Sequence, residues 1–272
     1  MKTLSYKKLK WGYSLDLNIT DKCNIQCSHC YMPKRDLSLT KESAQLILKK
    51  IPKTLERLVI SGGEPFLNYE VLYEIVHLTK LNFKSRIRIT TNGKFLYELK
   101  DKLSIELQKL DNFGVDELVF SSDRHHFEAG IKYEKLLDIQ EEIYKLGLNL
   151  KCKFLDVGEG VLIGEFIKKN PKKFEINNCL NRKVNIVKPY FFTSTEGDVY
   201  LCAFRNSPSL GNLLNEDWEI VSSRINDQMN LLCGNIFPYL VKKIYTDELV
   251  NDYLTYGECY VCQKYLNSKK IK

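Results

Sequence analysis

The chain has 272 residues, 44% of them hydrophobic, and a formal net charge of +7. That length suits an α/β domain of barrel type with a small appendage, and the apolar share supports a sizeable core, which excludes a disordered or fibrous chain. The opening MKTLSYKKLKWGY has no apolar run of the signal-peptide kind and no stretch approaches a membrane span, so a reducing cytoplasm is expected.

In chain order, short β-branched runs alternate with amphipathic stretches. Strands are predicted at 13–19, 57–61, 86–91, 117–121 and 148–154, and helices at 41–51, 69–78, 96–110 and 133–146. In the last helix Leu136, Ile139, Ile143 and Leu146 recur at helical spacing, the signature of core packing. Strand–helix alternation argues for parallel βα units, as an open sheet or a partial barrel, and such folds keep their chemistry at the carboxyl ends of the strands. Lysines cluster at both chain ends (Lys2, Lys7, Lys8, Lys10; Lys264, Lys269, Lys270, Lys272), a pattern of solvated tails more than of a nucleic-acid footprint.

The polar motifs fall at those strand ends. After the first strand come Cys23, Cys27 and Cys30, spaced CxxxCxxC; after the second, Ser61-Gly62-Gly63-Glu64-Pro65; after the third, Thr91-Asn92-Gly93; after the fourth, Ser121-Ser122-Asp123. With nine cysteines in the chain, a chance CxxxCxxC is expected only about 0.01 times. Three clustered thiolates can face one metal centre, yet a closed tetrahedral site needs four ligands, so one position is filled from a distance or left open. Zinc prefers paired CxxC knuckles, and disulfides need an oxidising compartment.

Each of the other motifs has a plain reading as well. Gly62 and Gly63 supply unusual dihedrals in a βα loop and Pro65 stiffens its exit. Asn92-Gly93 is a favoured turn pair. Asp123 caps a helix before Tyr133 or pairs with Arg124. His125 and His126, adjacent in sequence, point apart as ordinary loop residues, the alternative being a role in moving a substrate proton. Cys152 fills the core.

The CxxxCxxC loop followed by Gly62-Gly63-Glu64-Pro65 resembles the radical S-adenosylmethionine (radical SAM) superfamily. The resemblance implies a partial (β/α)6 TIM-like barrel over residues 1–170, a [4Fe–4S] cluster on Cys23, Cys27 and Cys30, and S-adenosylmethionine on its open iron. It also implies cofactor contacts from His29, near the adenine, from Gly62, Gly63, Glu64 and Pro65, at the methionine amino group, and from Asn92, Ser121 and Asp123, with Asp123 suited to ribose hydroxyls.

A second cysteine group lies in residues 171–272. Gly197 and Cys202 make a G-x4-C pattern, Cys259 and Cys262 a CxxC pair, and Ser209-Leu210-Gly211-Asn212-Leu213 a further turn. This is similar to a Twitch domain, the shortened SPASM relative: a β-hairpin plus helix holding one auxiliary [4Fe–4S] cluster, here on Cys179, Cys202, Cys259 and Cys262. Cys233 can replace Cys179, and structural zinc uses the same ligands. The implied activity is reductive cleavage of S-adenosylmethionine, hydrogen abstraction from the substrate and, with a second cluster, oxidative modification. Compact maturases of ribosomally made peptides give the first substrate class, a peptide. Dehydrogenases of an amino-cyclitol or sugar in natural-product biosynthesis give the second, a small molecule. A flavodoxin or ferredoxin is the expected electron donor, and neither membrane nor nucleic acid is an expected partner. From another class, the cysteines describe a non-catalytic zinc-binding interaction module.

Overall fold

The structure, a computed structural model, describes residues 12–30, 32–155, 190–201, 209–224 and residue 248. In chain order it contains β1 (Tyr13–Asn18), α1 (Lys41–Lys50), β2 (Leu55–Ser61), a 3-10 turn (Pro65–Asn68) running into α2 (Tyr69–Asn82), and β3 (Arg86–Thr91). It continues with α3 (Lys94–Glu98), α4 (Leu103–Asn112), β4 (Glu117–Ser121), α5 (Arg124–Glu128), α6 (Tyr133–Lys145) and β5 (Lys151–Leu155). After residue 189 follow β6 (Tyr190–Thr193), β7 (Asp198–Tyr200), β8 (Gly211–Asn212) and α7 (Trp218–Ser223).

One sheet runs in the order β5-β4-β3-β2-β1-β6-β7-β8. The first six are parallel, and β7 and β8 add antiparallel pairs. The fold is therefore mixed α/β around a parallel sheet, an open sheet compatible with the expected partial barrel. From β1 to β5 each strand lies beside its predecessor and always on the same side. Right-handed crossovers then place every connecting helix on one face. Tyr13, Leu15, Leu17, Leu58, Ile60, Ile87, Ile89, Leu118 and Phe120 are buried towards those helices, against Ala44, Ile47, Leu72, Ile75, Leu107, Leu136 and Ile139. Strand alternation turns the intervening residues, mostly polar, to the opposite, inner face.

Two predicted elements are corrected. The stretch 96–110 does not form one helix: Lys100 takes φ +50°, and a 3-10 turn over Lys100–Lys102 separates α3 from α4. The fifth strand starts at Lys151, because the chain leaves α6 through Gly147 in the left-handed region (φ +60°) and Leu148 belongs to that turn. Cys152 sits half-buried against the core, and burial pushes its thiol up to about 12. Glu196 and Gly197 form the turn between β6 and β7, with Gly197 at φ +83°. Cys179, Cys202, Cys233, Cys259 and Cys262, and the boundary at 170/171, lie outside the described residues.

Candidate active site

Four loops meet at the carboxyl ends of β1–β4. The cysteine loop leaves β1 through buried Asn18, Thr20 and Asp21. Asn18 Nδ2 donates to Asp21 Oδ1 (3.1 Å), and Lys22 N donates to Thr20 Oγ1 (3.1 Å), so the backbone just ahead of Cys23 is fixed by its own side chains. The second loop is zipped onto this one. Gly63 N donates to Thr20 O and Glu64 N to Lys22 O, both at 2.7 Å. A Cβ on Gly62 would stand 2.5 Å from Thr20 O, and one on Gly63 2.2 Å from Lys22 O. Neither glycine has a positive φ. The expectation that they supply unusual dihedrals is thus corrected: glycine is required here by close approach of two backbones.

Glu64 is fully buried, and its carboxylate faces the third strand end. Oε1 accepts from Thr91 Oγ1 (2.7 Å) and Phe66 N (3.3 Å), and Oε2 accepts from Asn92 N (2.9 Å). Burial pushes its pKa up to about 7 against those hydrogen bonds. Asn92, positioned by Glu64, returns to the cysteine loop: its Nδ2 donates to Asn24 Oδ1 (2.8 Å) and lies 3.8 Å from Cys23 Sγ. Gly93 at φ +79° opens α3, as an Asn-Gly turn should. Pro65 stands at the first position of the 3-10 turn, where its missing N–H is no loss.

At the fourth strand end, Asp123 does cap a helix, but that helix is α5 and not the one beginning at Tyr133. Its Oδ1 accepts from His125 N (3.0 Å) and His126 N (3.2 Å). Arg124 pairs with Glu128. Nor do His125 and His126 point apart into loops. His29 packs between them, with ring centroids 4.5 Å from His125 and 5.0 Å from His126. Asp123 Oδ2 accepts from His126 Nδ1 (2.8 Å), and Ser28 Oγ bonds His125 Nδ1 (2.8 Å). Nδ1 of His29 is buried with no hydrogen-bond partner. Burial lowers the His29 pKa to about 4, so the ring is neutral near pH 7. A one-turn helix is too short for periodicity to reveal it; the only sequence signal was Asp123 three residues ahead of His126.

Cys23, Cys27 and Cys30 are free thiols. Burial and then the neighbouring Cys30 and Cys23 push Cys27 up to about 12. Cys23 is the exposed one of the three, yet the loss of water around its sulfur still raises its pKa, with Glu64 and Cys30 adding to it. The three cysteines are near enough for Cys30 to raise the pKa of the other two, and three thiolates grouped on one loop need a cation among them, which is the donor chemistry of a metal site. The ligand atoms of Cys27, His29 and His126 lie within 4.8 Å of one another. The residues fit the expected group: three thiolates to hold an iron–sulfur cluster, and beside them a neutral imidazole with an unsatisfied nitrogen.

A parallel α/β sheet whose first strand feeds a three-cysteine loop, with three further polar loops closing on it, defines an α/β protein with a candidate metal site at the carboxyl ends of its strands. Residues 17–168 match the family model described as the Radical SAM superfamily, and the chain belongs to that superfamily. It is a radical SAM enzyme, and membership brings a [4Fe–4S] cluster, S-adenosylmethionine and the need for a reductant. Among curated proteins it is 24% identical to the GTP 3',8-cyclase of Aquifex aeolicus, over 78% of this chain and 91% of that one. It is 27% identical to the GTP 3',8-cyclase of Peptoclostridium acidaminophilum, over 49% of this chain and 43% of that one. The fold matches the solved structure of native anSMEcpe with bound AdoMet and Cp18Cys peptide, with a TM-score of 0.56, 14% identity, and 90% and 88% of the two chains covered. Among the described residues no helix is long and apolar enough to cross a membrane.

Proposed function

We propose that the enzyme reductively cleaves S-adenosylmethionine to a 5′-deoxyadenosyl radical and abstracts a hydrogen atom from a substrate held against the inner face of the sheet. The observation that carries this reading is the convergence of the four loops: the cysteine loop is hydrogen-bonded to the Gly63–Glu64 backbone and, through Asn92, to the third strand end. Bound there, cluster and cofactor supply the one-electron cleavage of a sulfonium. The protein supplies aim. Cys23, Cys27 and Cys30 hold the cluster. Gly62, Gly63 and Pro65 frame the methionine end with backbone, while Glu64, its oxygens already taken, acts by holding Thr91 and Asn92 in place. His29 lies beside the adenine. Ser121, whose hydroxyl makes no hydrogen bond among the described residues, serves the ribose, next to the Asp123 cap.

The finer chemistry is oxidoreductase-type: an auxiliary [4Fe–4S] cluster on Cys179 or Cys233, Cys202, Cys259 and Cys262, in a Twitch-like unit over 171–272, takes an electron from the substrate radical. The β6–β7 hairpin supports this by delivering the chain to Cys202 two residues after β7. A flavodoxin or ferredoxin in the cytoplasm is the proposed donor. Of the two substrate classes, the peptide has in its favour the bound Cp18Cys peptide named with one structural neighbour, whose likeness to this chain is one of fold. The small molecule gains a structural observation, the polar and cationic inner face of the sheet, and GTP in the names of two relatives is also a small anion.

Anaerobic reconstitution tests the reading. We predict about eight irons and eight sulfides per chain from two cubane clusters, and 5′-deoxyadenosine under dithionite. Replacing Cys23, Cys27 and Cys30 together by Ala abolishes that product; a triple variant that still forms it refutes the assignment. One or two zinc ions per chain without cleavage would favour the interaction module.

A further inference from the structure

The pairing register places Arg57 beside Arg86 and Val59 beside Arg88 on neighbouring parallel strands. It continues Arg88 to Glu117, Glu117 to Lys151, and Val119 to Lys153. Their sequence neighbours Leu58, Ile87, Ile89, Leu118 and Phe120 are fully buried against the helices, so these residues belong to the inner face. Towards β1, the same face carries Asp16, whose carboxylate is engaged by Ser61 Oγ and by Tyr190 OH. Glu117 is engaged too: Arg88 Nε donates to Oε2 (2.8 Å) and Lys153 Nζ to Oε1 (2.6 Å). Burial would raise the Glu117 pKa, but Lys153 and Arg88 outweigh it and hold the carboxyl at about 2, permanently ionised. Five cationic side chains thus share the face with two carboxylates, both already occupied. Arg57, Arg86 and Lys151 make no ion pair among the described residues.

Like charges side by side on one sheet face are destabilising. Arg57 and Arg86 are register partners on strands spaced about 4.8 Å apart, and Arg88 is one pleat further along. Arg57 and Arg86, neighbours in register, match a compact, multiply charged oxyanion, since each offers a planar fork of donors; Arg88, whose Nε and Nη2 lie on Glu117, adds its remaining Nη1 edge. The spaced single carboxylates of an acidic peptide match them less well. Ser61 at the mouth is four residue steps beyond Arg57, about 13 Å along the strand. An anion bound at the arginines would therefore leave the rest of a small molecule reaching up to the loops.

We propose that Arg57, Arg86 and Arg88, flanked by Lys151 and Lys153, bind the phosphate end of the substrate, which makes that substrate a small phosphorylated molecule. This assignment rests on the reaction proposed above and names its substrate class. Glu117 acts as a positioning residue that holds Arg88 and Lys153 in place.

The test is calorimetric titration of inorganic tripolyphosphate into the anaerobically reconstituted full-length enzyme with S-adenosylmethionine present. Binding at one site per chain is expected, weakening with added salt. Arg57→Gln and Arg86→Gln should each weaken it at least tenfold, and Arg57→Lys should recover part of the loss. Lys145→Gln, on the outer face of α6 and paired there with Glu141, should leave it unchanged. No binding, or binding indifferent to both arginine substitutions, overturns the proposal. So does an oligoglutamate peptide that outcompetes tripolyphosphate for the same residues, since it moves the face to peptides. The same preparations are assayed for 5′-deoxyadenosine. Arginine-dependent binding without that product would uphold the anion site and refute the cleavage reading.

Discussion

Glu64 is a carboxylic acid surrounded entirely by protein, and its three donors come from residues that build the site: Thr91, Asn92 and Phe66. Removing it strands those donors, and an unsatisfied buried donor costs about 1–3 kcal/mol, so Glu64→Ala should both destabilise the fold and weaken cofactor binding. The carboxyl also makes stability depend on pH. Burial raises its folded pKa to about 7 from an ordinary 4.5. The folded state then holds the proton more tightly than the unfolded chain. Its contribution is complete below the unfolded value and is lost as pH rises through about 7. We predict that the melting midpoint of the cluster-free protein falls between pH 6 and pH 8 more steeply in the wild type than in Glu64→Gln. Equal slopes would show that Glu64 is not the group responsible. At this scale the sequence was legible where spacing carries chemistry, as in the three cysteines. It was silent on the inward turn of Glu64 and on the packing of His29 between His125 and His126. Both depend on contacts across 27 and 97 residues of chain, which no local pattern encodes.

Whole elements were read more faithfully than single side chains. β3 and β4 stand where β-branched runs placed them, because a strand covered by helices on one face is specified by its own apolar alternation. The 96–110 stretch misled for the converse reason: its apolar spacing continues across Lys100, while the backbone breaks there. The connection between the first two loops belongs to this scale as well. In Gly63→Ala the new Cβ meets the Lys22 carbonyl oxygen at 2.2 Å and the Asp21 oxygen at 2.8 Å, backbone atoms that no rotamer change can remove. The two loops must separate, at about 1–3 kcal/mol for an overpacked site, and the displaced residues immediately precede Cys23. Gly130→Ala is the control. It strains a backbone at φ +97° but meets nothing within 4 Å. Both variants should melt below the wild type, and only Gly63→Ala should fall short in iron per chain after reconstitution. Equal iron in the two would mean that the zipped backbones do not shape the cluster loop.

Across the molecule, one arginine ties the mouth of the barrel to the hairpin far along the chain. Arg35 Nε donates to Asp21 Oδ2 (2.8 Å), and its Nη1 donates to Glu196 Oε2 (2.6 Å), in the turn between β6 and β7. Asp21 is fully buried at its side chain and Arg35 about one-third exposed, so the pair is neither a free surface bridge nor a dry one. The sheet supplies a second tie, since β6 pairs with β1, and Tyr13 of β1 stacks on Trp218 of α7 at 5.5 Å. Removing Arg35 should therefore leave the fold standing and loosen the loop. Arg35→Met deprives buried Asp21 of its cation while Asn18 still donates to it, and we expect a loss of about 1–2 kcal/mol, below the penalty for a fully buried broken pair. Arg35→Lys should recover little, because a single ammonium cannot serve Asp21 and Glu196 with the geometry of a guanidinium fork. The informative measurement is the rate of iron release to a chelator from the reconstituted enzyme, read beside its melting temperature. If Arg35 anchors the strand-end loop to the hairpin, release accelerates in both variants by more than their melting shifts account for. Release that merely tracks stability would reduce the clamp to an ordinary ion pair and leave the anchoring to the sheet, the Tyr13–Trp218 stack and the bond from Lys50 Nζ to Glu216 O.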